Sequence, residues 1–93
     1  MGEENGMEQS RIALIGIIVE DMEATDRLNR VLHDYGSYIV GRMGIPYRQR
    51  GICIISVAID APADVISSLS GKLGMIRGIS VKSLYAKVPE GRA

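Results

Sequence analysis

The sequence predicts an α+β domain in which two helices cover one face of a four-stranded antiparallel sheet. Two runs, residues 11–19 (RIALIGIIV) and 52–59 (ICIISVAI), are β-branched and apolar at both parities, as central strands are. Each run is followed by a segment with apolar residues every three or four positions, the mark of a helix with one buried face. Gly, Pro and charged residues separate these blocks and leave room for two further strands.

The first run is shorter than an ordinary helix and stops at Glu20 and Asp21. Asp21 is placed to cap a helix beginning at Met22, and Glu23 favours its positive end. Ala24, Leu28, Val31, Leu32 and Tyr35 form the buried stripe, with Arg27, Arg30, His33 and Asp34 turned away. Gly36 stands where a left-handed residue would close that helix.

Residues 37–47 alternate loosely through Ile39, Val40, Met43 and Ile45. Gly41, Gly44 and Pro46 within them suit an edge strand with a bulge. Residues 48–51 (RQRG) form a polar, basic turn into the second central run. Asp60, Ala61 and Pro62 are expected to open the second helix, with Asp64 near its positive end and Val65, Ile66, Leu69 and Leu73 buried. Lys72 and Gly74 mark its end, and Gly78 leads into a last strand through Ile79 and Val81 to Ala86.

Strand, helix, strand, strand, helix, strand is the split βαβ pattern of a ferredoxin-like βαββαβ sandwich. Right-handed crossovers place both helices on one face and set the strand order at 4-1-3-2. Residues 11–87 are expected to form this single domain, with residues 1–10 a disordered lead and residues 88–93 a flexible tail.

Lys plus Arg and Asp plus Glu both number 11. No overall positive field therefore draws the chain to DNA or an anionic membrane, and nucleic-acid binding by the chain alone is not expected. No apolar run approaches the roughly 20 residues of a membrane span, and the acidic first residues are unlike a signal peptide. One Cys and one His allow neither an internal disulfide nor an ordinary zinc site, so a reducing cytoplasm without metal or cofactor is the expectation.

Helices on one side leave the other side of the sheet bare. Ile15, Ile17, Val19, Ile55, Val57 and Ile59 share the parity assigned to the helices, while Ile12, Leu14, Ile18, Ile52 and Ile54 would face water. Burying each such side chain is worth roughly 1.5–3 kcal/mol. These five residues are therefore expected to form the interface of a homo-oligomer, a dimer or tetramer. The alternative is that Tyr85, the hairpin or the N-terminal lead folds over them.

Candidate chemistry is sparse. His33 lies off the helical stripe and reads as a solvated residue; Cys53 lies in an apolar strand and reads as a small hydrophobe. Ser70-Gly71-Lys72-Leu73-Gly74 superficially resembles a phosphate loop, but Ile66 and Leu73 stand where that motif needs Gly and Ser or Thr. The backbone near Gly71 and Gly74 remains a candidate ligand contact. Arg42, Gly44 and Tyr47 are candidates in the glycine-rich edge, where guanidinium groups beside an aromatic ring can hold an anion. Arg48 and Arg50 there also read simply as a solvated turn. No catalytic set of Ser, His and carboxylate appears, so an enzyme is not expected.

Ile17-Ile18-Val19-Glu20-Asp21, Leu32-His33-Asp34-Tyr35-Gly36, residues 41–47 and Leu69-Ser70-Gly71-Lys72-Leu73-Gly74 together resemble the iron-only hydrogenase system regulators. The resemblance spans roughly residues 11–87 and implies an ACT-like version of the fold, related to the C-terminal domain of nickel-responsive repressors. It further implies a role in the expression or maturation of that hydrogenase. Those repressors hold nickel with a His-rich, Cys-containing set, where this chain offers His33 and Cys53. They bind DNA through a separate N-terminal domain, and the ten residues before the first strand are too few for one. The expectation is a regulatory or sensing module acting through a small-molecule effector or partner protein. A small dimeric enzyme using Arg42, Tyr47 or His33, and a ligand-free assembly adaptor, are the alternatives.

Overall fold

The computed structural model describes residues 9–87. Strand β1 (Ser10–Val19), helix α1 (Thr25–Asp34), strands β2 (Ile39–Tyr47) and β3 (Ile52–Pro62), helix α2 (Ala63–Gly74) and strand β4 (Ile79–Tyr85) follow in the expected order. The sheet runs β2-β3-β1-β4, every pairing antiparallel. This is the 4-1-3-2 order read from the opposite edge, a ferredoxin-like arrangement. Residues 1–8 and 88–93, to which most of the expected lead and all of the tail belong, lie outside the described residues, and Ser10 begins β1.

Register decides which parity is covered. Ala13 pairs with Ile59, Ile15 with Val57 and Ile17 with Ile55. These residues, with Val19 and Ala61, are buried beneath Leu28 and Leu32 of α1 and Ile66, Leu69 and Leu73 of α2. The bulkier parity assigned to the helices is the one they cover.

Three local expectations are corrected. The helix expected from Met22 starts with a 3-10 turn, Met22–Ala24, capped by Asp21, whose Oδ1 accepts from the Glu23 N–H at 3.0 Å. The Thr25 hydroxyl donates to the Met22 carbonyl at 2.8 Å, and α-helical geometry begins only there. Gly36 is not left-handed; among the described residues only Gly51 and Gly78 have positive φ. α1 instead closes through 3-10 bonds, Tyr35 N–H to Leu32 O and Tyr38 N–H to Tyr35 O, which occupy the last carbonyls without a left-handed residue. Asp60, Ala61 and Pro62 do not open α2; they extend β3, paired with Ile12, Arg11 and Ser10. β1 starts early enough to offer them partners, and Pro62 fits the last position of a strand as an extended residue before Ala63.

β2 lies at the edge and shifts register between Ile39 and Gly41, the bulge that its glycines suggested. At the far end of β1, Gly78 adopts φ +89°. Its carbonyl accepts from the Glu20 and Asp21 N–H groups at 2.7 and 3.0 Å. A Cβ on Gly78 would lie 2.6 Å from the Asp21 Cβ, so the close approach of these loops requires glycine. Ser80 adds a hydrogen bond to Glu20 Oε2 at 2.9 Å.

Candidate interaction surface

Among the described residues, the face of the sheet away from the helices carries two apolar groups. Ile12, Leu14, Ile18 and Ile54 are 51, 45, 40 and 40% exposed, and Ile52 beside them is half-buried. Pairing brings further residues that the sequence reading did not include. Leu84 of β4 stands beside Leu14, Ile45 of β2 beside Ile54, and Tyr47 beside Ile52. Met43 shares their parity on β2. Alternation along β2 and β4 carried the signal, but only the register shows which central residues they adjoin.

Tyr85 does not fold over this face. It pairs with buried Ala13 on the helix side, where the Arg11 guanidinium lies 4.5 Å from its ring centre. The bare face instead has a waist. Gly16 sits between Ser56 and Lys82, with a shallow hollow on either side of this row. One, of about 300 Å³, is lined by Ile12, Leu14, Ala58 and Leu84; the other, of about 410 Å³, by Ile18, Ile54, Ser56 and Ser80.

The structure does not gather the other candidates. Arg42 pairs with buried Val57, so it points to the helix side, where its Nη2 donates to Asn29 Oδ1 of α1 at 3.1 Å. Gly44 shares that side, while Tyr47 lies on the bare one. Gly71 and Gly74 are exposed on α2, and a Cβ on either would meet nothing within 4 Å. His33 is exposed in the last turn of α1, whereas half-buried Cys53 pairs with Val19 at the end of β1 from which the chain leaves for α1.

A polar hollow of about 470 Å³, missed by the sequence reading, lies between the start of α1 and the approach to β4. Asp21, Glu23, Asp26, Arg27, Arg30 and Arg77 line it. The first five read as an ordinary capped, solvated helix start; β1–β4 pairing adds Arg77. On the outer surface of the helices, the Tyr35 hydroxyl and Ser68 Oγ are 2.9 Å apart. That hydrogen bond, with Lys72 Nζ 5.3 Å from the ring centre, holds the phenol below its usual value of 10.0 despite an opposing effect of burial.

Residues 11–83 match the model of the TM1266-like family, described as "Iron-only hydrogenase system regulator, putative". An uncharacterized protein from Thermotoga maritima, TM1266, is 34% identical and superposes with a TM-score of 0.81 over 85% of this chain and all of that one. A "Putative nickel-responsive regulator" of Saccharolobus solfataricus is 28% identical over 76 residues, 82% of this chain and 56% of the relative. The chain thus spans about half the length of that curated relative. A formyltetrahydrofolate deformylase of Pseudomonas putida shares the fold at 18% identity, with a TM-score of 0.58.

The second name implies nickel, and the donor set of one chain does not fit it. His33 and Cys53 occupy opposite ends of the domain, and no group of three or more His, Cys, Asp or Glu among the described residues could hold a metal ion. With the family match covering residues 11–83, most of the domain, this chain belongs to the TM1266-like family.

Proposed function

We propose that the chain is a non-enzymatic regulatory module of the iron-only hydrogenase system that works in the cytoplasm as a homo-oligomer, a dimer or tetramer packed through its bare sheet face. The observation that carries this reading is the exposed apolar face opposite a fully formed core. Ile12, Leu14 and Leu84 on one side of the Ser56–Gly16–Lys82 row, and Ile18, Ile45 and Ile54 on the other, expose apolar surface of a kind that monomers rarely leave in water. A two-fold contact covers such a patch with the same patch of a second copy, which needs no other partner.

The separation of Arg42, Tyr47 and His33 supports a regulator over an enzyme, because these groups do not face a common space. A small charged effector has a suitable seat in the hollow where Asp21, Glu23 and Asp26 face Arg27, Arg30 and Arg77. Transcriptional control then runs through an effector or partner protein, since the near-neutral chain offers no overall field for DNA.

Native mass spectrometry on protein purified without added ligand tests both parts. Subunits held together in the wild type and released by Leu14→Lys, with a small retained mass, are the expected result. A wild-type monomer overturns the bare-face reading, and an oligomer without retained mass favours a ligand-free adaptor.

A further inference from the structure

Gly16 lies inside a central strand, where glycine weakens a sheet through its extra backbone freedom and its lack of a side chain to pack. Neither its backbone nor its neighbours require it. Among the described residues only Gly51 and Gly78 have positive φ. A Cβ on Gly16 would make only an ordinary contact, 3.9 Å from the Lys82 carbonyl oxygen. What the missing side chain leaves is a gap on the bare side, between Ser56 of β3 and Lys82 of β4. The gap opens into the larger of the two hollows there, walled by Ile18 and Ile54, each 40% exposed.

Lys82 brings a positive charge to the rim of this hollow. Two acids share the bare side, and neither adjoins it in the pairing. Asp60 pairs with Ile12, four residues along β1 from Gly16 and so about 13 Å away. Glu20 lies beyond the end of β1, where its Oε2 accepts from the Ser80 hydroxyl at 2.9 Å. Ser56 supplies a second hydrogen-bond donor from the other flank of Gly16. One charged and one neutral donor thus flank a gap whose far side is aliphatic.

We infer that this hollow binds a short aliphatic carboxylate, its head over Gly16 within reach of Lys82 and Ser56 and its chain along Ile18 and Ile54. Charge selects the head and apolar area the chain. A neutral hydrocarbon would cover the ammonium without pairing it, and a small inorganic anion would leave the isoleucines in water. The site is complete in one chain and distinct from the polar hollow at the start of α1. Where two bare faces pack, the carboxylate also neutralises a lysine that the contact buries, so ligand and assembly favour each other. That linkage, unlike the site, rests on the bare-face packing.

Isocaproate is a suitable probe, followed through the amide NMR spectrum of the labelled protein. Saturable shifts centred on Gly16, Ile18, Ile54 and Ser56 are expected; no saturation, or shifts elsewhere, overturns the site. Isocaproamide and acetate should each bind at least about tenfold more weakly, since one lacks the charge and the other the chain. Equal binding of either overturns the assigned ligand class. Lys82→Met, at an exposed position, keeps the aliphatic stem and should weaken isocaproate by a similar factor. Gly16→Val should raise the denaturation midpoint, as a better strand former, yet abolish binding by filling the gap. Unchanged affinity in both variants overturns the inference. In the Leu14→Lys background, where copies are separated, binding should persist, be weaker than in the wild type, and fall again on adding Lys82→Met. Its loss there overturns a site complete in one chain, whereas equal or tighter binding overturns only the linkage to assembly.

Discussion

The helix side and the bare side of the sheet are built from the same aliphatic residues, on the same strands, one position apart. Ile15 and Ile17 are no more than 1% exposed, while Leu14 and Ile18 on either side of them are 45 and 40% exposed. Composition is therefore not what separates core from surface here. What separates them is the side to which the crossovers through α1 and α2 carry their own apolar stripes. An aliphatic residue on the covered side stabilises the chain's fold, and on the bare side it is available to stabilise an assembly.

Substitutions on the two sides should differ sharply. Ile17→Ala is expected to cost about 2–5 kcal/mol in chemical denaturation, because the close-packed cavity cannot fully collapse. A loss under about 1 kcal/mol would break the contrast between the sides. At the end of the sheet, Gly78→Ala should cost at least about 1–2 kcal/mol, from positive φ together with overlap at Asp21. An unchanged midpoint would show that the two loops part easily.

Leu14→Lys is the complementary probe. Measured on the dissociated protein, its effect on stability should stay within about 0.5 kcal/mol, as for other surface positions, even though subunit number falls. A large loss in the separated monomer would mean that the bare side contributes to the fold itself.

The smallest effect lies outside the sheet. The Ser68 hydrogen bond and the Lys72 charge favour the Tyr35 phenolate, so its folded value lies below its unfolded one. Tyr35 is neutral in both states at neutral pH and contributes nothing there by ionisation. As pH rises through the folded value the folded state gains a slight advantage, complete above the unfolded value near 10 and lost again as pH falls. Ultraviolet titration should show one phenol ionising early, and that step should disappear in Tyr35→Phe. Its persistence would place the early phenol elsewhere.

Much of the fold was legible because its signals are local. Two runs apolar at both parities identified β1 and β3 as central, and the stripe through Leu28 and Leu32 identified α1. The errors arose where partners distant in sequence decide. Asp60–Pro62 looked like a helix start until β1 provided hydrogen-bonding neighbours. Gly36 looked like a left-handed cap, although 3-10 bonds closed α1 without one. The candidate group of Arg42, Gly44 and Tyr47 could have been split in advance, since residues an odd number apart on a strand face opposite ways. The hollow holding Arg77 beside Asp21 and Arg27 had no such signal, because strand pairing alone unites them.

By itself, the sequence determined the element order, the central strands and the two parities, because periodicity and strand length act within a few neighbouring residues. Only the tertiary structure decided which hydrophobic residues remain in water, where Arg42 and Tyr47 point, and why Gly78 has no side chain. Those outcomes depend on register and on the approach of loops far apart in the chain, which become fixed when the sheet closes against its helices.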